Sequence, residues 1–352
     1  MARSRRFCPR VARFWVGAAV GALLVAGAAT GQAAEGLVRW WPAEGTADDV
    51  RGGNDGLLSG AGFAPGMVGQ AFAFDGLDDH VVIPNHAALN PARELTVEAW
   101  VYAAGKQGQQ RDIVSKDGEG FQRQYALILT ERNWFRARVG VPSGFATCDG
   151  LTRARPNTWY HVAMTYDGSE LRLYVNGILD GVRSVSGALI TTGQPVRIGG
   201  GAPGAWSPLY FQGQIDEVRI YDRALSAAEV IERVAVGEPS LAVSAIASQV
   251  ISSTTAGLIP ETVGAALATS LDGALAWLGN AQDDAAAGQL DAFIRQVEAQ
   301  RGAGVMAAQA ESLTAAALGV LDGLGAGPGQ GGARSEASSA AATWAAVKES
   351  TR

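Results

Sequence analysis

Hydrophobic and polar positions follow two different rhythms along the chain. Between residues 36 and 236 apolar side chains alternate with polar ones in short runs bounded by Gly, Asn and Asp, the period of two that marks a half-buried strand. Leu171-Arg-Leu-Tyr-Val is a clear alternation, and Asn176-Gly177 after it supplies the positive φ values that a tight hairpin turn requires. Tyr166-Asp-Gly does the same one strand earlier, so Trp159 to Val185 is predicted as a meander of three antiparallel strands. The same reading places strands near Ala71 to Phe74, His80 to Ile83, Leu95 to Tyr102, Asp112 to Ser115, Tyr125 to Thr130, Trp134 to Val139, Val196 to Ile198 and Phe211 to Tyr221. Many short strands joined by Gly-rich turns make a sandwich. Ser226 followed by Glu229 is a capping box that opens a short helix after the last strand.

Beyond Gly237-Glu-Pro-Ser240 the rhythm becomes helical. Val263, Leu267, Leu271, Leu275 and Leu278 repeat at helical spacing, as do Leu290, Phe293, Ile294 and Val297, then Leu313, Leu321 and Leu324. With the segment from Leu241 to Ile259 this predicts four antiparallel helices, broken at Ile259-Pro260, Gly279-Asn280 and Gln300 to Gly304. The Pro-containing connector divides a β domain, 35–237, from a helical domain, 238–324, and the Gly-, Ala- and Ser-rich tail, 325–352, reads as flexible. Each domain has its own apolar periodicity, so the two are expected to fold independently.

Residues 1–34 begin with Arg3, Arg5, Arg6, Arg10 and Arg13, continue through an apolar run from Phe14 to Ala29 and end in small residues, the order of a secretory signal peptide. The apolar run is shorter than the ~20 residues a membrane span needs. The protein is therefore expected to be secreted, extracellular or periplasmic, with no transmembrane segment after cleavage. The full chain holds 28 Lys plus Arg and 34 Asp plus Glu; the leader takes five arginines and no acid, leaving 23 basic residues and a net charge of −11. Nucleic acid and anionic membranes are poor partners for such a surface. Of the two cysteines, Cys8 leaves with the leader and Cys148 has no intrachain partner. His80, His86 and His161 are scattered without ligand spacing, which excludes a zinc site built from Cys and His.

Six stretches carry a family resemblance: Gly36-Leu-Val-Arg-Trp-Trp, Ala71-Phe-Ala-Phe-Asp-Gly, Leu95-Thr-Val-Glu-Ala-Trp-Val, Trp159-Tyr-His-Val-Ala-Met-Thr-Tyr-Asp-Gly, Leu171-Arg-Leu-Tyr-Val-Asn-Gly and Gln214-Ile-Asp-Glu-Val-Arg-Ile-Tyr. In this order and spacing they resemble the laminin G-like, concanavalin A-like jelly roll. The resemblance implies an all-β jelly-roll sandwich, followed here by a small all-α helical bundle, and recognition more often than catalysis. Leu271-Asp-Gly-Ala-Leu-Ala, Gly279-Asn280 and Gln289-Leu-Asp-Ala-Phe-Ile-Arg resemble the FIMAH domain, a helical module of bacterial extracellular proteins. Gln289 stands where that family usually has Asn, and the module implies no established activity.

Four chemistries bear on these elements. The acidic, Gly-rich loop around Asp48 to Gly56 resembles the family's metal loop, and Asp49 and Asn54 with Asp216 of the Ile-Asp-Glu-Val strand are candidate calcium ligands; turn capping by the same side chains is the alternative. Laminarinase-type hydrolysis needs two carboxylates on one strand face, as Glu-x-Asp-x-Glu supplies, and neither this nor its longer variant occurs. Lyase chemistry would want His and Tyr converging, yet His161 and Tyr166 are an odd number of residues apart and point to opposite faces, with His161 resembling the family's core histidine. Trp40, Trp41, Trp100 and Trp159 occupy strand positions suited to core packing. Trp206, in the loop Gly199 to Pro208, is the candidate sugar-stacking aromatic, with Arg123, Arg136 and Arg138 as companions. The function expected is binding of a glycan or an extracellular, cell-surface partner; a structural or adhesive protein that contacts protein is the alternative, and a polysaccharide-degrading enzyme is a more distant one.

Overall fold

The computed structural model describes residues 35–105, 108–118, 123–202 and 210–325. The predicted leader, most of the predicted tail and Trp206 lie outside these residues.

Two antiparallel sheets pack face to face. The back sheet runs in the order β13 (Ile178–Ser184), β12 (Glu170–Val175), β11 (Trp159–Tyr166), β6 (Leu95–Ala103), β15 (Gln212–Tyr221), β4 (Gln70–Asp75) and β3 (Gly62–Pro65), with β1 (Leu37–Trp41) also paired to β15. The front sheet runs β10 (Gly144–Arg153), β9 (Trp134–Val141), β8 (Arg123–Leu129), β7 (Arg111–Asp117), β14 (Val196–Ile198), β5 (His80–Ile83) and β2 (Leu57–Ser59). Alternation decides which side chains meet between the sheets. Val97, Ala99 and Val101 of β6, Val162, Met164 and Tyr166 of β11, and Phe135, Ala137 and Val139 of β9 all turn into one core. The predicted meander is present, and Asn176 and Gly177 hold φ of 51° and 78° at its second turn.

Helix α1 (Ala227–Gly237) opens with the predicted capping box, Ser226 and Glu229 each accepting from the other's backbone. It is followed by α2 (Pro239–Thr255), α3 (Glu261–Leu278), α4 (Asp283–Ala299) and α5 (Ala307–Gly325). The chain breaks between them fall at the predicted Pro260, Gly279 and Gln300. Helices α3 and α4 approach closely at Gly273, where a Cβ would stand 3.2 Å from the Gln289 side chain.

The helices are laid against the outer face of the back sheet. Trp100, 1% exposed, belongs to a second apolar cluster with Met67, Ile231, Val234, Leu241 and Ile246, and not to the core between the sheets. At Gly237 a Cβ would come 2.8 Å from the Trp100 indole, so the connector is a packed corner in a continuous hydrophobic layer. Polar side chains of the same face cluster beneath the helices. His161 meets Trp100 edge-on at 5.3 Å and reaches Glu98 at 3.4 Å; Tyr221 donates to Glu98 at 3.0 Å. Burial opposes ionisation of Glu98, but the neighbouring His161 and the charge of Arg219 hold its carboxyl below the ordinary range.

Truncating Trp100 opens a cavity at this seam. Trp100→Ala should cost about 3–5 kcal/mol and shift the β and helical signals together in urea unfolding followed by circular dichroism. Two separate transitions, only one of them displaced, would show that the seam does not couple the layers.

Candidate functional site

Helices cover the central strands of the back sheet; the outer face of the front sheet is buried along β7 and β8 and partly open along β9, and its composition follows from register. On β9, Phe135, Ala137 and Val139 point inward, which turns Trp134, Arg136 and Arg138 outward. Across the strands Asp149, Arg136, Ile128 and Asp112 stand in one row. Thr147, Arg138, Ala126, Ser115, Arg197 and Val82 form the next. Neighbouring strands are ~4.8 Å apart, so Arg138 and Arg197 stand roughly 14 Å from one another across the fully buried Ala126 and Ser115.

Arg123, at the start of β8, belongs to the same face. One of its terminal nitrogens donates to Asp112 at 2.7 Å and to Asp117 at 2.6 Å. Those acids lie near opposite ends of β7, so their side chains lean towards each other to share that one nitrogen. Burial, opposed by the Arg123 charge, pushes the Asp112 carboxyl up to about 6. The other terminal nitrogen of Arg123 and the amide nitrogen of Gln124 are buried without a partner. Arg136 pairs with Asp149. Arg138 donates from Nε to the Thr147 hydroxyl at 3.2 Å. Burial, and after it the charges of Arg123 and Arg136, hold Arg138 below the ordinary arginine range. The structure thus brings Arg123, Arg136 and Arg138 to one face. Trp206 lies outside the described residues, but the flank of its loop packs here: the Ser115 hydroxyl bonds to the Gly200 carbonyl at 3.1 Å.

The three candidate calcium ligands divide between two backbone nests. Asp49 accepts from the amides of Trp40, Arg51, Gly52 and Asn54 at 3.0–3.1 Å and pairs with Arg39 at 3.2 Å. That is the turn-capping alternative. The Asn54 side chain donates to the Pro84 carbonyl at 3.0 Å. Asp216, fully buried, accepts from Met67 and Val68 at 2.9 Å through Oδ2, while Oδ1 has no partner. A different cluster meets the geometric demand of a cation site: Asp75, Asp78 and Asp79, in the β4–β5 turn, offer oxygens that all lie within 4.8 Å of one another. Its signal was the Phe-Asp-Gly-Leu-Asp-Asp run, in which every acid is within one turn.

Burial raises the Asp216 carboxyl from 3.8 to about 8. A raised folded-state value means that its stability contribution is complete below the unfolded pKa and is lost as pH climbs through the folded one. Wild type should lose stability relative to Asp216→Asn between pH 4 and pH 8, by at most ~1.4 kcal/mol per pH unit. Urea unfolding of both proteins at several pH values measures it, and parallel pH profiles would refute it.

Residues 74–231 match the family model described as the concanavalin A-like lectin/glucanases superfamily. No curated protein sequence matches the chain. Among solved structures, domain 4 of the extracellular arabinanase AbnA from Geobacillus stearothermophilus, in complex with arabinotriose, is 20% identical with a TM-score of 0.46, over 55% of this chain and 96% of that one. The binding domain of Paraclostridial Mosquitocidal Protein 1 is 18% identical with a TM-score of 0.45, over 55% and 51%. A Trypanosoma rangeli sialidase mutant displaying trans-sialidase activity is 19% identical with a TM-score of 0.43, over 55% and 32%. The family match across 74–231 and the two antiparallel sheets in jelly-roll order agree on a concanavalin A-like sandwich for the β part of this chain.

Proposed function

We propose that this chain is a secreted glycan-binding protein whose contact surface is the β9 side of the front sheet's outer face. The observation that carries the reading is β9: Trp134, Arg136 and Arg138 alternate outward, each half-buried and partly open to solvent, an aromatic beside polar forks, the combination that sugars use for stacking and hydrogen bonding. Trp206 is kept as a second contact on the neighbouring loop. The helical module, with its FIMAH-like motifs, serves as an extracellular accessory layer. Calcium, if this domain takes one, is held by Asp75, Asp78 and Asp79; hard carboxylate oxygens fit it, and the ion would tie β4 to β5.

Binding without catalysis is part of the proposal, and the acids of the same face support it. Asp112 and Asp117 approach one another closely enough to share one nitrogen, and the raised Asp112 resembles a general acid. The Arg123 guanidinium occupies the space between them, however, and both carboxylates are buried. A sugar ring has no access there.

Trp134→Ala should weaken glycan binding by about 1–3 kcal/mol, the size of a lost stacking contact, with the melting temperature little changed; undiminished binding removes the indole from the site. Turnover of any polysaccharide in proportion to protein concentration, abolished by Asp112→Asn, would replace this reading with an enzymatic one. Chelator should lower the melting temperature of wild type and leave Asp78→Asn unmoved; identical wild-type melts with and without chelator would dismiss the cation.

A further inference from the structure

We infer that the ligand of this face is an anionic polysaccharide, followed along β9 and the end of β10 by a track of arginines. The inference rests on the glycan-binding reading and adds the chemical class. Between residues 131 and 155 the chain carries Arg132, Arg136, Arg138, Arg153 and Arg155 against only Glu131 and Asp149, on a protein whose overall charge is −6. Among the described residues, Arg136 is the one member of the group with an ion-pair partner, Asp149. Arg153 instead donates to the Arg132 carbonyl at 3.1 Å, and Arg138 to a threonine hydroxyl.

These cations are placed in line. Arg138, Arg136 and Trp134 occupy successive outward positions of β9, about 7 Å apart, and Trp134 is paired across the sheet with Arg153. The line ends at a cavity of about 420 Å³ lined by Asn133, Arg153, Ala154, Arg155 and Pro156. Arg153 and Arg155 are exposed at its rim. Guanidinium groups without carboxylate partners, set against an acidic protein, create a local positive stripe and match carboxylate or sulfate geometry through paired N–H donors. A line roughly 13 Å long between Arg138 and Trp134 suits a polymer with repeated anions better than one small anion. The indole in the line offers a sugar face between charges.

The test uses the full mature chain with matched probes: polygalacturonate against its carboxyl-reduced form, dextran sulfate against dextran, and single-stranded DNA, followed by calorimetry at several salt concentrations. We expect the anionic member of at least one pair to bind, its Kd rising tenfold or more with salt as released counterions are replaced, on the order of the losses seen for other polyanions. Arg138→Gln and Arg153→Gln should each weaken it about 3- to 10-fold, with unchanged melting temperature. Arg301→Gln, in the helical module, should leave it unchanged. Equal, salt-insensitive binding of the neutral forms would overturn this inference while leaving glycan recognition in place. Binding of no polysaccharide would overturn both. Stronger binding of DNA, or an equal loss with Arg301→Gln, would reduce the stripe to general electrostatics and overturn the inference.

Discussion

The structure depends on one constraint: the central strands of the back sheet have no solvent face. Every residue of β6 except Tyr102 is buried, because sheet-on-sheet packing takes one side and the helices take the other. Glu98, fully buried in the middle of that strand, is tolerable only because His161, Tyr221 and Arg219 surround it beneath the helices. An unpaired carboxylate there would cost several kcal/mol. The helical layer therefore completes the β domain, although the chain's periodicities read as two separate folding units. On the opposite sheet, strand β9 keeps one face partly open, and its outward positions carry polar and aromatic groups.

Inward and outward sides of the front sheet then divide the labour along single strands. Phe135, Ala137 and Val139 anchor β9 in the core, and that anchoring holds Trp134, Arg136 and Arg138 in a fixed row. Arg123 plays a different part from its two companions. Holding two carboxylates of β7 on one terminal nitrogen, it stiffens the sheet beside them and keeps two acids from repelling an anionic ligand with their full charge.

Much of the fold was legible in the sequence because its signals are local. Period-two alternation, the Asn176-Gly177 turn, the Ser226 cap and the helix breaks each involve residues a few positions apart, and each stands where it was read. Strand β10 was not read: its inward residues are Ala146 and Cys148, too small to stand out against Thr147 and Asp149. Trp100 and His161 were assigned to the core, and both are buried. Which core they belong to depends on the docking of helices more than 60 residues distant, something no local pattern encodes. The site was legible only in part. Arg123, Arg136 and Arg138 could be named from residue type, but their shared face follows from cross-strand register. Asp216 offered the right oxygens for a cation, yet burial and two backbone amides dominate its surroundings.

Cys148 has a consequence of its own. Its thiol faces inward from β10 opposite Ala137, 3% exposed, between the two outward side chains that serve Arg136 and Arg138. Burial pushes the thiol up to about 11, so in the closed molecule it is both hidden and protonated. Reagents can modify it only when β10 lifts from the sandwich. Among the described residues Cys148 is the one cysteine, an internal clock for local opening at the edge of the arginine face, read by the rate of thiol labelling and independent of whether the rest of the domain unfolds.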